Sequence, residues 1–351
     1  MVGCNIGRAQ VAAFRELPEC FDLRAVCDLD LGRAQSVAAD FGVPTALDDY
    51  AALCERSDID VISLCTPPKL HCEQILHALA AGKEVICEKP LVGSLAEIDR
   101  LAAAQVQFGR RIMPIFQVRF GRGLQKLKYL SDQGLTGAAY LATAETAWRR
   151  RGDYYATAWR GNLQDSLGGC LVQQGIHAHD ACSFILGPPE AVFAFAATRV
   201  NPVEPEDCAT ASVRMRNGSL ATFSVTLGSA EEITRHRFCF EHLTAESNTS
   251  AYGSSRDPWR FIGQTPEDER AIAGALGRFV PALEGYAGQF QRYHRALAFG
   301  GPLPVNLDDA RASLELLTAL YLSIETARPV TVAFDRNHPR YAGWLPASAG
   351  R

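Results

Sequence analysis

The stretch VISLCTPPKLHCEQILHALAAGKEVIC, residues 61–87, decides the fold class of this chain. It begins and ends with short apolar runs, residues 61–65 and 85–87, and a helix-length segment at residues 70–81 lies between them. A strand, a helix and a second strand in this order predict a β-α-β unit with parallel strands. Strands that are almost wholly apolar are typical of a sheet covered by helices on both faces.

The same alternation continues on both sides of this stretch. It predicts further strands at residues 23–27 and 112–116 and further helices at residues 33–41 and 95–109. We therefore expect an α/β domain over residues 1–117 with a Rossmann-type, doubly wound parallel sheet.

A different pattern begins after this domain. Longer alternating strands are predicted at residues 140–148, 209–215 and 219–227, and Asn217-Gly218 joins the last two as a tight hairpin. We expect residues 118–351 to form an α+β substrate and oligomerisation domain with a large, mostly antiparallel open sheet. The polar residues 246–270 are predicted to be a long loop, and residues 308–326 a helix.

Composition excludes several classes of partner. The chain of 351 residues has 35 Lys and Arg against 39 Asp and Glu, so it lacks the basic character of a nucleic-acid-binding protein. No apolar run is long enough to span a membrane. The 11 cysteines form no C-x-x-C pair, as expected of reduced thiols in the cytoplasm. We expect a small-molecule substrate, no nucleic acid and no membrane.

The beginning of the chain predicts a dinucleotide site. The spacing from Gly7 to Asp28 fits a glycine loop followed by an acid that binds ribose hydroxyls. Glycines allow the backbone to approach a pyrophosphate at a helix N-terminus. Asp28 would repel a 2′-phosphate, so NAD is expected rather than NADP, although Arg33 is near. The residues predicted to bind the cofactor here are Gly3, Asn5, Ile6, Gly7, Asp28 and Arg33.

This beginning departs from the G-x-G-x-x-G pattern. Cys4 stands where the middle glycine belongs, and few residues precede Gly3 although a central strand needs about five. The first strand is therefore expected to be truncated, with the natural start upstream of Met1.

Two further motifs carry chemistry. Glu88-Lys89-Pro90 follows a buried strand, at the sheet edge where open α/β sheets bind ligands. The helical residues 168–180 place Gln173, His177 and Asp180 on one face. Alternatively, a strand-end lysine is a solvated charge and a helix histidine is a core residue. No metal site is expected, since neighbouring histidines on a helix diverge.

An aromatic and cationic cluster precedes the glycine-rich helix. Aromatic faces suit sugar rings, and a guanidinium suits a carboxylate or a phosphate, but a packed loop is an equal alternative. The cluster comprises Tyr154, Tyr155, Trp159 and Arg160. Gln117 and Arg119 follow the last parallel strand. They are expected either to line the active site or to form a structural pair.

These motifs together resemble the Gfo/Idh/MocA oxidoreductases, the family of glucose-fructose oxidoreductase and inositol dehydrogenase. The resemblance spans nearly the whole chain and is carried by Asp28, Thr66-Pro67-Pro68 with His71, Glu88-Lys89-Pro90, residues 168–180 and residues 307–311. It implies a nicotinamide cofactor and hydride transfer at a hydroxyl-bearing carbon of a sugar, polyol or related small molecule. It also implies that Lys89 lies by the nicotinamide and the substrate, and that His177 handles the hydroxyl proton.

The resemblance and the residue chemistry described above together give the remaining expected site residues. Expected at the cofactor are also Thr66, Pro67, His71, Glu88, Lys89 and Gln117, and at the substrate Gln173, Asp180, Tyr154, Trp159, Arg160 and Arg119. Many family members have aspartate where Gln173 stands. This departure and the altered glycine loop favour a nucleotide-binding sensor with reduced catalysis, and an NAD-assisted glycoside-cleaving enzyme without net redox is a second alternative.

Self-association is expected through the C-terminal sheet. Ala221, Phe223, Val225 and Leu227 alternate along one predicted strand, and an open sheet face must be covered. This predicts a homodimer or a homotetramer.

Overall fold

The computed structural model describes residues 1–157 and 159–345. The chain divides into two compact units. The first comprises Met1–Phe116 and Gly285–Arg311, and the second comprises Gln117–Glu284 and the residues from Ala312 onward. The first boundary, at residue 116, is one residue from the expected one at 117. The sequence analysis divides the chain into two continuous segments, whereas residues 285–311 belong to the first unit.

The first unit has a parallel sheet flanked by helices. Its elements are α1 (Gly7–Arg15), β1 (Ala25–Cys27), α2 (Leu31–Phe41), β2 (Thr45–Leu47), α3 (Tyr50–Glu55), β3 (Val61–Leu64), α4 (His71–Ala80), β4 (Glu84–Cys87), α5 (Leu95–Phe108) and β5 (Ile112–Pro114). Strand β1 pairs with β2, and β3, β4 and β5 pair in that order, all in parallel. Val2 joins the two groups through parallel bridges to Cys27 and Leu64.

The second unit has an open sheet of eight strands. Its elements are α6 (Arg122–Asp132), β6 (Ala139–Arg149), α7 (Gly152–Tyr155), α8 (Leu163–Ser166), α9 (Ile176–Leu186), β7 (Pro189–Ala197), β8 (Cys208–Met215), β9 (Leu220–Thr226), β10 (Gly228–Phe240), β11 (Leu243–Glu246), β12 (Arg260–Gly263), α10 (Pro266–Leu276) and β13 (Val330–Thr331). Helix α11 (Gly285–Phe299) belongs to the first unit, and α12 (Leu307–Thr326) contains the boundary between residues 311 and 312. The strand order is β12-β11-β10-β6-β9-β8-β7-β13, antiparallel except for β6 with β9. The expected α/β fold class, with its mostly antiparallel second sheet, is confirmed.

The covered face of this sheet corrects one expectation. Ala221, Phe223 and Val225 are buried, and the ring of Phe223 packs 4.6 Å from the ring of His179 on α9. The apolar alternation expected to mediate self-association therefore faces this chain's own helix. The opposite face carries Leu220, which is 52% exposed.

The predicted loop at residues 246–270 is also corrected. Strand β11 ends at Glu246, β12 follows at Arg260–Gly263, and α10 begins at Pro266. The helix start is a capping box in which the side chains of Thr265 and Asp268 bind each other's backbone N–H groups. The polar residues that cap this helix have the composition of a loop, which explains the incorrect prediction. Within the described ranges, no helix is both long and apolar enough to cross a bilayer.

Candidate active site

The glycine loop of the first unit has the geometry of a phosphate-binding turn. Gly3 has a φ of +87°, and a Cβ atom there would lie 2.5 Å from the carbonyl oxygen of Cys65. A Cβ atom on Gly7 would lie 2.4 Å from the Sδ atom of Met1. Asn5 and Ile6 are exposed just before α1 begins at Gly7. The loop therefore offers exposed backbone at a helix N-terminus, which suits a dinucleotide pyrophosphate.

Asp28 anchors the same loop. Its Oδ2 accepts the Cys4 N–H at 2.7 Å, and its Oδ1 accepts the Asp30 N–H and an Arg33 Nη1 hydrogen, each at 3.0 Å. The side chain of Cys4 points into the core, where burial raises the pKa of its thiol to about 11. The cysteine in place of the middle glycine therefore stays protonated, and its backbone joins the loop to the acid that would bind ribose hydroxyls.

Met1, Val2 and Gly3 occupy the position of the expected truncated strand. Val2 donates to the Ser63 carbonyl at 2.8 Å and accepts from the Cys65 N–H at 2.7 Å. On the other side, the Met1 ammonium donates to the Ala25 carbonyl at 2.9 Å. A cavity of about 480 Å³ adjoins this short segment and is lined by side chains that include Phe14, Phe21, Leu53, Ile59 and Ile62.

Lys89 lies directly after β4, at the carboxyl edge of the parallel sheet. The Glu88 carboxylate beside it is buried and accepts hydrogen bonds from Gln10 at 2.7 Å and from the Tyr286 hydroxyl at 2.8 Å. Its other oxygen accepts the Lys89 backbone N–H at 3.2 Å. Glu88 is therefore held inside the first unit and fixes the backbone from which Lys89 projects.

His71, which is expected at the cofactor, connects two turns of the first unit. Its ring is completely buried, and burial lowers the pKa of the imidazole. Nε2 lies 2.9 Å from the Thr66 carbonyl oxygen, and Nδ1 lies 3.1 Å from that of Pro90. His71 thus joins the turn that contains Thr66 and Pro67 to the turn after Lys89, so it holds two loops in place.

In the second unit, a buried carboxylate fixes the start of the glycine-rich helix. Glu206 Oε1 accepts the backbone N–H groups of Gly169 and Leu171, both at 3.1 Å, and the Tyr321 hydroxyl at 2.7 Å. Burial raises the pKa of Glu206. A Cβ atom on Gly169 would lie 1.9 Å from the Glu206 carbonyl oxygen, so only glycine permits this approach. Sequence reasoning missed Glu206 because only the fold brings it to the two glycines.

The helix that carries His177 begins with a π-helical turn at Leu171–Gly175 and continues as α9. Such turns are frequent at functional sites. The Gln173 Nε2 donates to the Ser166 carbonyl at 2.6 Å. An aspartate could not make this bond, since a carboxylate has no hydrogen to donate.

Asp180 and Arg119 bind each other. Arg119 donates from Nε at 2.8 Å and from Nη2 at 2.6 Å to the two carboxylate oxygens, and both side chains are buried. This fork joins α9 to the turn at Gln117–Phe120 and favours the structural alternative for Arg119, while substrate binding by either residue stays a prediction. The Oε1 atom of Gln117 in this turn is buried, and no hydrogen-bond donor reaches it within the described ranges.

The aromatic cluster is connected to the same helix. Gln174 donates from Nε2 to the Tyr154 hydroxyl at 3.0 Å. The guanidinium carbon of Arg160 lies 4.2 Å from the ring centroid of Tyr154 and 5.5 Å from that of Trp159. The structure therefore brings Tyr154, Trp159 and Arg160 together.

Two family models match the two parts of the chain. One is described as the Gfo/Idh/MocA oxidoreductase family with an NAD-binding Rossmann fold and matches residues 1–116. The other describes a C-terminal domain of that family and matches residues 124–246. Together they cover more than half of the chain, which therefore belongs to the Gfo/Idh/MocA oxidoreductase family. The predicted Rossmann-type fold and the NAD cofactor are confirmed.

Individual relatives are dehydrogenases. The chain is 34% identical over 170 residues to the D-glucoside 3-dehydrogenase of Escherichia coli K12, across 48% of this chain and 47% of that protein. It is 28% identical over 205 residues to the trans-1,2-dihydrobenzene-1,2-diol dehydrogenase of Mus musculus, across 58% and 60%. Each match spans less than two thirds of the relative's length.

A solved structure resembles the chain over nearly its full length. The WlbA dehydrogenase from Bordetella pertussis, in complex with NADH and UDP-GlcNAcA, has a TM-score of 0.83 at 25% identity. The match covers 95% of this chain and 98% of that one.

Proposed function

We propose that this protein is an NAD-dependent oxidoreductase that transfers a hydride between the nicotinamide and a hydroxyl-bearing carbon of a sugar-like or polyol substrate. The observation that carries the proposal is the glycine loop before α1, which has exposed residues. The hydrogen bond from the Cys4 N–H to Asp28 fixes this loop at the carboxyl end of strand β1. NAD, when bound, supplies the hydride acceptor or donor. The dehydrogenase activities of the relatives support this choice of reaction.

The chain's own residues supply the proton chemistry. In oxidation, His177 accepts the proton of the alcohol, and Lys89 stabilises the developing charge on the same oxygen. In reduction, the roles reverse. Glu88 positions Lys89 through its backbone, and Glu206 and Tyr321 position the helix of His177.

The test is a screen of sugars and polyols for NADH formation with purified protein and NAD. His177→Ala and Lys89→Ala should each lower turnover, and His177→Ala should leave NAD affinity near that of wild type. The matched control is His242→Ala, since His242 lies outside the glycine-rich helix and is partly exposed. Full turnover in both active-site variants would contradict the assigned roles.

One observation favours a nucleotide-binding sensor as a second candidate. Gln173 is uncharged, and its amide is engaged by the Ser166 carbonyl, so it cannot supply the anion that many family members place there. A sensor would bind NAD tightly and form no NADH with any sugar in the screen.

Location and assembly form a further part of the proposal. The cysteines are unpaired thiols within the described ranges, which suits the cytoplasm. The open sheet face presents Leu141 beside Leu220 and, further along the sheet, Phe195, and covering this face would form a homodimer or a homotetramer. Phe195→Asp should then have a lower sedimentation coefficient than wild type. A sedimentation coefficient of wild type that corresponds to a monomer would contradict assembly.

A further inference from the structure

Two guanidinium groups lie on the ring of one tyrosine in the second unit. The guanidinium carbon of Arg150 is 5.3 Å from the ring centroid of Tyr154, and that of Arg160 is 4.2 Å from it. Each contact is a favourable cation–π interaction. Both guanidinium groups are positively charged, and a partly buried charge is stabilised by an anion.

Of these two charges, Arg150 alone has a carboxylate partner among the residues that the structure describes. Arg150 donates from Nη1 to Glu232 at 2.7 Å. Arg160 donates from Nη1 to the Tyr154 carbonyl at 3.3 Å, and no carboxylate pairs with it within the described ranges. The nearby acid Glu204 accepts the Leu163 N–H at 3.0 Å, so it is used by the backbone.

The arginine pair is tied to the helix that carries the predicted base. Gln174 donates to the Tyr154 hydroxyl, and its side chain is buried with no donor reaching Oε1 within the described ranges. Gln174 precedes His177 by three residues, which is about one helical turn. The position of the two guanidinium groups is therefore fixed relative to the candidate active-site helix.

We propose that Arg160 binds an anionic group of the substrate, which makes the substrate an acidic sugar that carries a carboxylate or a phosphate. This inference rests on the proposed function, since it takes the ligand to be the substrate of the same site. A guanidinium offers paired N–H donors that match the oxygens of either group. Stacking on Tyr154 and Trp159 fixes the plane of the guanidinium in advance. The Tyr154 ring, whose face suits a sugar, also contacts the guanidinium groups of Arg150 and Arg160.

The experiment measures binding by isothermal titration of the protein loaded with NADH, so that no alcohol can be oxidised. Three probes are used: D-glucuronate for the carboxylate, D-glucose 6-phosphate for the phosphate and D-glucose as the neutral reference. We expect wild type to bind one of the acidic sugars about 10–100-fold more tightly than D-glucose, the usual value of a charge-assisted hydrogen bond. Arg160→Gln should abolish this difference and leave NADH affinity unchanged.

The matched control is Arg151→Gln. Among the residues that the structure describes, its guanidinium bonds the carbonyl oxygens of Arg150 and Leu227, so this variant removes a nearby positive charge without changing the contacts of the Tyr154 ring. It should retain the preference for the acidic sugar. Equal or weaker binding of both acidic sugars by wild type, or an unchanged preference in Arg160→Gln, would overturn the proposal.

Failure of the proposed function would be recognised separately. If the preference depends on Arg160 but no sugar yields NADH with NAD, the anion site stands and the oxidoreductase function is wrong. If neutral sugars yield NADH without any preference for acidic ones, the oxidoreductase function stands and the anion site is wrong.

Discussion

The Tyr321 hydroxyl donates a hydrogen bond of 2.7 Å to the Glu206 carboxylate, although 115 residues separate the two in the chain. The same carboxylate accepts two backbone N–H groups at the start of the glycine-rich helix. Without Tyr321 a buried anion would lose one of its donors. The position of the helix that carries His177 thus depends on a contact between distant parts of the second unit.

Tyr321→Phe should lower the free energy of unfolding by about 1–3 kcal/mol, the usual cost of removing a donor from a buried polar group. It should also lower turnover, because the helix of His177 loses part of its support. Urea unfolding and steady-state kinetics measure the two effects. Tyr252→Phe is the control on an exposed tyrosine, and equal stability of both variants would contradict the role of Tyr321.

Asp28→Ser should narrow the preference for NAD over NADP by about tenfold, equivalent to 1.4 kcal/mol. The carboxylate repels a 2′-phosphate, whereas serine does not, and Arg33 then becomes available to the phosphate. Titration of both cofactors measures the ratio. Asp22→Ser, which changes an exposed acid of the same unit, should leave the ratio unchanged. Tighter binding of NADP by wild type would contradict the assignment of Asp28.

The parallel sheet could be predicted from the sequence because buried strands such as Val61–Leu64 and Glu84–Cys87 are nearly continuous apolar runs. Strand β2 at Thr45–Leu47 was missed because it is short, half-buried and lies at one end of the sheet. The contacts that set the candidate site were not visible either. Glu206 with Gly169 and Arg119 with Asp180 are pairs made by the fold, and no local pattern marks them.

The sequence placed Gln173, His177 and Asp180 on one face of a regular helix. The π-helical turn at Leu171–Gly175 changes that spacing, and periodicity alone does not reveal such a turn. Asp180 pairs with Arg119, which the sequence predicts either as lining of an active site or as one member of a structural pair. Residue types at the site were predictable, and their partners were not.

Acid should unfold the second unit through its buried histidines. Burial lowers the pKa of His179 to about 3 and that of His236 to about 4, and no hydrogen-bond partner reaches either ring within the described ranges. Because the pKa of each histidine is lower in the folded protein than the value of 6.5 in the unfolded chain, the unfolded chain binds a proton first as the pH falls. The free energy of unfolding is therefore unaffected by these groups above pH 6.5 and decreases as the pH falls below it. Each histidine should contribute a loss of about 1.4 kcal/mol per pH unit in that window.

His179→Phe keeps a ring against Phe223 and removes the titrating group. Its unfolding free energy should therefore fall less steeply than that of wild type between pH 6 and pH 4. Urea unfolding across this range measures the slopes, and His77→Phe is the control on an exposed histidine. Parallel curves for wild type and His179→Phe would contradict the prediction.

His177→Ala should lower turnover by about 10²–10⁴-fold and leave NAD affinity near that of wild type, as expected for loss of a general base.

Gln173→Asp tests the surroundings of that base. A carboxylate near His177 would favour its charged form, so the acidic limb of the turnover profile should move to higher pH. The same variant loses the bond to the Ser166 carbonyl, and Gln173→Leu, which loses the bond without adding a charge, is the control. The measurement is turnover against pH for all four proteins. If the acidic limb moves equally in Gln173→Asp and Gln173→Leu, the charge at residue 173 does not act on the base, and if His177→Ala keeps full turnover, another group carries the proton.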